Sequence, residues 1–367
     1  MTRHRCFAMI LIISKVWFSI GGVFHRTFAC VNMRADLIRA GLGTGMIGGR
    51  TAPSGGNSGK RPSLIWTGSR VLAGAALLGA AAAIPPHPVT AARTVLNVVA
   101  STNVYADVIA QLGGNHVRVM GILSNPNADP HSYESSTADA AAVARATLVV
   151  QNGLGYDDFM SKLESASPNR LRVVIDVGAA LHYRTGDNPH LWYKPDTMLR
   201  LAPLVVAALA KQDPADRQIF GANLRTFDSS LRPWLAQIAA IRKQFAGTPI
   251  AVTEPVFDYA ALAAGLRIVT PYSFQAAIMG GTDPAPQDVQ TEKNLFSKRE
   301  IRAFVYNRQA VAPITQQLLS LAHGNHIPVV GVYETKPIND TYQQWMMAEM
   351  TAMRLALSRG VSTERIP

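Results

Sequence analysis

Between Asp213 and Phe245 the apolar residues Ile219, Leu224, Phe227, Leu231, Leu235, Ile238, Ile241 and Phe245 recur at helical spacing. A run this long exceeds the usual globular helix of about 10–14 residues, and Pro233 within it should kink it or divide it in two. The text on either side differs in kind. Before it, the short β-branched runs Val95–Ala100, Val117–Leu123, Leu148–Gln151 and Arg172–Asp176 alternate with helical stretches ending in Asp196–Lys211. After it, the runs Ile250–Thr253, Ile268–Thr270, Ile301–Tyr306 and Val329–Tyr333 alternate with Tyr259–Ala264, Ile314–Ala322 and Tyr342–Ser358. Strands that alternate with helices build parallel sheets covered by helices. The expected fold class is therefore α/β, with two lobes, each a mainly parallel sheet flanked by helices, joined by one long linker helix. Residues 93–213 form the N-terminal lobe, 214–246 the linker helix and 247–367 the C-terminal lobe.

Residues 1–92 read differently. The chain carries a formal charge of +11, which at first suggests nucleic acid or an anionic membrane as partner. Ten of its lysines and arginines, against the single acid Asp36, fall in residues 1–92. The rest of the chain is close to neutral, so no nucleic-acid partner is expected. Lys60, Arg61 and Arg70 precede the small and apolar run Val71–Ile84, and small residues around Val89–Ala92 supply a cleavage site. This is the layout of a secretory signal peptide over about residues 60–92, and the run is short for a membrane span. The upstream extension, residues 1–59, is read as lying ahead of the true start. The expected location is the periplasm. Both cysteines, Cys6 and Cys30, lie in the leader, leaving no cysteine nucleophile or ligand beyond it.

Residues with metal-binding chemistry gather at four places. His131 stands in Asp129-Pro130-His131-Ser132-Tyr133-Glu134 and His190 in Asn188-Pro189-His190-Leu191-Trp192, each fixed by a preceding proline. In the second half, strands run directly into Glu254 and towards Glu334. A carboxylate at the carboxyl end of a buried strand faces the ligand crevice of an α/β sheet. Two imidazoles suit zinc and similar ions, while carboxylates also suit manganese. Two glutamates neutralise a dication, so the burial cost of a complete site is small beside that of an unpaired charge.

These segments, DPHSYE, NPHLW, TEPVFDYAALAAGL and VVGVYET in this order and spacing, resemble the solute-binding proteins of zinc and manganese ABC importers over Thr94–Gly360. Asn152-Gly153 followed by Phe159 and Lys162-Leu163 fits as well. The resemblance implies one divalent metal ion, Zn2+ or Mn2+, as cargo in the cleft between the lobes, held by His131, His190, Glu254 and Glu334. It implies as partners the membrane permease and cytoplasmic ATPase of an importer, with the receptor itself a monomer. The chain departs from the family in Lys194, where an acid is usual, and lacks the His/Asp-rich loop of many zinc-specific members.

Other readings are a receptor for a metal chelate such as haem or a siderophore, a metal-dependent hydrolase with Asp129 or Glu134 as base, and an adhesin. Four protein ligands leave no open position for an activated water, and HExxH and G-x-S-x-G motifs are absent. The expectation is a receptor and not an enzyme.

Overall fold

The computed structural model describes residues 95–125 and 133–365. The leader, its signal-peptide run, Asp129 and His131 lie outside the described residues. The first sheet contains β1 (Leu96–Thr102), β2 (Val117–Leu123), β3 (Leu148–Gln151) and β4 (Val173–Asp176), all parallel, in the order β2-β1-β3-β4. Helices α1 (Asn103–Gly113), α2 (Thr137–Arg145), α3 (Phe159–Ala166) and the short α4 (Val177–Ala180) connect them, and α5 (Thr197–Gln212) comes next. Ser136 and Asp139 start α2 with a reciprocal capping box.

The expected linker is two helices, α6 (Arg217–Ser230) and α7 (Arg232–Phe245). Pro233 sits in the first turn of α7, where its missing N–H costs least, so the break falls just ahead of it at Leu231. The start also shifts, because Asp213–Asp216 forms the turn between α5 and α6.

The second sheet repeats the first. It holds β5 (Pro249–Val252) and the two-residue β6 (Arg267–Ile268), separated by α8 (Asp258–Ala263). Helices α9 (Tyr272–Met279) and α10 (Pro286–Ser297) lead to β7 (Phe304–Asn307), and α11 (Pro313–Gly324) leads to β8 (Val329–Val332). The order β6-β5-β7-β8 is again parallel throughout. Neither α9 nor α10 is visible as an apolar period in the sequence. Beyond α12 (Tyr342–Arg359), Thr363 bridges back to Val330. That approach requires glycine at 331, since a Cβ there would lie 2.0 Å from the Glu364 carbonyl oxygen.

The sequence assigns Tyr342–Ser358 to the C-terminal half, yet the helix ties that half to the first. The Tyr342 N–H donates to Asp107 of α1 (2.9 Å), and Gln343 exchanges hydrogen bonds with Gln111 (2.8 and 3.0 Å). The two halves share one apolar core. Tyr193, from the single turn Leu191–Tyr193 after His190, stands edge-on to Phe257 (5.4 Å) and Trp345 (5.5 Å). Among the described residues no helix is long and apolar enough to cross a membrane.

Candidate metal centre

Of the four residues singled out from the sequence, His190 and Glu334 meet directly past the strand ends, and Glu254 joins them through Asn307. In the second sheet β7 lies between β5 and β8. Glu254, two residues past β5, and Glu334, two residues past β8, therefore flank Asn307, the last residue of β7. All three are buried, with exposures of 0–1%. The Asn307 amide nitrogen donates to Glu254 Oε1 (2.5 Å) and to Glu334 Oε1 (2.7 Å). Its carbonyl oxygen accepts from the Gln309 backbone N–H (3.0 Å), which decides which way the amide faces. Gln309 in turn accepts from the backbone N–H groups of Glu334 (2.6 Å) and Thr335 (3.0 Å).

His190 closes on this pair from the first sheet's side. Its Nε2 lies 3.4 Å from Glu334 Oε2, with both side chains wholly buried. Asn188 Oδ1 stands 2.8 Å from His190 Nδ1 and also accepts the His190 backbone N–H (3.0 Å). The Asn188 amide nitrogen donates to the Pro255 carbonyl (2.6 Å), so its oxygen is the end facing the imidazole. An acceptor at Nδ1 places the proton there and gives Nε2 the lone pair, as a metal-ligating histidine requires. The Pro189-His190 loop is held from beneath, because Asn152 donates to the Pro189 carbonyl (2.9 Å). Tyr105 orients Asn152 by donating to its side-chain oxygen (2.6 Å), and the Asp157 carboxylate accepts the N–H groups of Asn152 (2.5 Å) and Gly153 (2.8 Å). Burial pushes Asp157 up to about 6 despite those bonds. Gly153 has φ +75°, and a Cβ there would meet Asp176 at 2.3 Å.

The walls are aromatic. Tyr156 and Trp192 pack edge-on to the His190 ring at 6.0 and 5.4 Å. Burial and then the Glu334 charge hold the Tyr156 hydroxyl well above its ordinary range, so it stays a donor towards Glu334. Beneath, Tyr193 donates to the Tyr333 carbonyl (2.7 Å), while Glu349 accepts from the Trp345 indole (2.8 Å) and is pushed up to about 8, chiefly by burial. Lys194 donates to the Tyr183 hydroxyl (2.6 Å), with its charge over that ring at 4.7 Å.

Sequence reasoning missed Asn188, Asn307 and Gln309. Asn307 and Gln309 come just after the strand Ile301–Tyr306, so the rule that picked out Glu254 and Glu334 applied to them equally.

His116, Asp213 and Asp216 form a second group of possible ligands, with one atom of each within 4.8 Å of the others. This group sits at the opposite, amino end of the first sheet, where His116 precedes β2. His116 Nδ1 pairs with Asp216 at the start of α6, and its ring stands edge-on to Phe220 (5.6 Å). It fastens the first sheet to α6.

Residues 98–356 match the family described as ZnuA, zinc-uptake complex component A periplasmic. The chain is 23% identical over 244 residues to the iron-binding protein YfeA of Yersinia pestis, covering 63% of this chain and 75% of that protein. It is 24% identical over 162 residues to the manganese ABC transporter substrate-binding lipoprotein scaA of Streptococcus gordonii. That alignment covers 41% of this chain and half, 50%, of the relative's length. The solved periplasmic zinc binding protein TroA of Treponema pallidum shares the fold, with a TM-score of 0.61 and 15% identity over 73% of this chain and 99% of the other.

Proposed function

The chain belongs to the ZnuA family of periplasmic zinc-uptake components, and on that premise we propose that it captures one divalent transition-metal ion, zinc or manganese, and delivers it to an ABC importer. The observation that carries this reading is the meeting of His190 Nε2 and Glu334 Oε2 at 3.4 Å, both side chains fully buried, with Glu254 tied to Glu334 through Asn307. A neutral imidazole and two carboxylates suit a borderline dication. The relatives agree in chemistry, being named for iron, manganese and zinc. We assign the ligands as His190, Glu254, Glu334 and, by resemblance, His131.

Such a site takes up its cargo and returns it unchanged. Four protein ligands close a tetrahedral shell and leave no water to activate, which separates this reading from a hydrolase. The ion would tie the two sheets together. The shared core around Tyr193, Phe257 and Trp345 opposes wide opening, so scattering profiles of apo and loaded protein should nearly superimpose. The protein acts as a monomer outside the cytoplasm, exported by the signal peptide of residues 60–92, and presents its ion to a permease driven by a cytoplasmic ATPase.

The decisive experiment is elemental analysis of the purified protein after dialysis against trace Zn2+ and Mn2+. One ion per chain is expected. A chain that retains neither would overturn the receptor reading.

A further inference from the structure

We infer that Tyr259 is a positioning residue for His190. From α8 it fastens the Asn188–His190 turn to the stretch that carries Glu254, so the imidazole is set against the second half before any ion arrives. This rests on the receptor reading, in which His190 is a ligand, and concerns what holds that ligand in place.

By chain order His190 belongs with the first sheet, yet the residues around it are bonded to the second half. The Tyr259 hydroxyl donates to the Asn188 carbonyl (2.9 Å), and the Asn188 amide nitrogen donates to the Pro255 carbonyl (2.6 Å). Further along, Tyr193 donates to the Tyr333 carbonyl (2.7 Å) and Tyr342 to the Trp192 carbonyl (2.6 Å). From the first half, Asn152 donates to the Pro189 carbonyl (2.9 Å).

Asn188 is held twice. Tyr259 takes its main chain and Pro255 its side chain, and both lie on one short stretch that starts at Glu254. Phe257 of the same stretch stands edge-on to Tyr193 at 5.4 Å. Pro255 stiffens it by fixing its own φ. Asn188 passes the placement on, because its side-chain oxygen accepts the His190 N–H (3.0 Å) and faces Nδ1 (2.8 Å). The stretch Glu254–Tyr259 thus presents Glu254 directly and His190 through Asn188.

The surroundings of Tyr259 suit this role. Its ring is half-buried and packs against the shared core. Burial first, then neighbouring tyrosines and acids, hold its hydroxyl well above the ordinary range, so it remains a donor. The Lys194 ammonium lies over this ring at 5.7 Å and over the Tyr183 ring at 4.7 Å, one cation shared by aromatic faces from the two halves. Packing and charge fix the ring, and the hydroxyl sets Asn188.

Tyr259→Phe in the full chain keeps the ring and its cation and removes the hydroxyl alone, and thermal melts report that it is folded. The first readout needs no metal. In 15N-labelled apo protein the His190 signals are identified by their loss in His190→Ala, and the wild-type ring should carry a fixed proton on Nδ1. In Tyr259→Phe the same signals should broaden or divide between tautomers. A wild-type ring of mixed tautomer, or an unchanged ring signal in the variant, overturns the proposal whatever the affinity does. Zinc affinity should fall about 2–10-fold, the range that one neutral hydrogen bond supports. In an Asn188→Ala background the same change should cost less than about twofold, because the path to the ring is already cut. A full additive cost there would make Tyr259 a general support and overturn the proposal as well. Wild-type protein that takes up neither Zn2+ nor Mn2+ defeats the receptor reading itself, an outcome distinct from a wild type that binds an ion while its His190 signals ignore residue 259.

Discussion

His190 Nε2 and Glu334 Oε2 lie 3.4 Å apart with no solvent exposure, although 143 positions separate the two residues in the chain. An imidazole and a carboxylate so placed attract either a shared proton or a shared cation. If both are ligands as proposed, replacing either leaves the other buried without the geometry to hold an ion. His190→Ala and Glu334→Ala should each lower metal affinity more than about a hundredfold, beyond the ~10–100-fold expected for an outer partner. Titration calorimetry with Zn2+ checks this, and retention of near wild-type affinity in either variant would remove that residue from the ligand set.

On the proposed reading Asn188 would act on a metal only through His190. Its oxygen holds the proton on Nδ1, and its amide group joins the His190 loop to Pro255 across the centre. Asn188→Ala frees the tautomer and the ring, and affinity should fall about 10–100-fold. Asn188→Asp restores an acceptor at Nδ1 and should recover part of the loss. Equal defects in the two variants would show that the bond to Pro255, not the tautomer, is what matters.

Glu349 gives the fold a pH dependence. Its pKa stands at about 8, against an ordinary 4.5, chiefly because it is buried. Between these values the folded chain keeps a proton that the unfolded chain releases. Stability contributed by Glu349 is thus fully present below about pH 4.5 and is lost as pH rises through about 8. Glu292, raised to about 8 by burial, acts with the same sign. Glu349→Gln mimics the protonated acid, so its melting temperature should fall less steeply across this window and exceed the wild type's above pH 8. Parallel curves for the two proteins would exclude Glu349 as a source of the slope.

The His116–Asp216 pair should matter for stability alone. His116→Ala removes a buried partner of Asp216 and the edge contact with Phe220. Denaturant unfolding should register a loss of about 1.5–3 kcal/mol, typical of a hydrogen bond to a charged group. Metal affinity should change less than about twofold, because the pair lies at the far end of the first sheet. A loss of bound metal in this variant would reassign the pair as a second binding site.

Much of this arrangement is legible in the chain. The β-branched runs locate all eight strands of the two sheets to within a few residues, and acids just past two of them single out Glu254 and Glu334. Helices α9 and α10 escape notice because the text around Gly280-Gly281 and Pro284–Pro286 is broken by turn residues and carries little apolar period. Their packing on the second sheet stabilises what their local sequence does not advertise. Pro233 marks a break in the linker correctly, but a proline is tolerated in the first turn of a helix, so the interruption falls at Leu231.

The sequence by itself determined the strands and most helices, the parallel character of the sheets and the residue types able to hold a cation. Each depends on short-range patterns of side-chain burial and on strand–helix alternation. Tertiary structure alone decided that β7 runs between β5 and β8, and with it that a single asparagine stands between two glutamates. It also decided that Asn188 fixes the imidazole tautomer, and that α12 returns to α1 to join the two halves. Strand order and side-chain pairing across scores of residues arise from packing the whole core, and no local stretch of the chain encodes them.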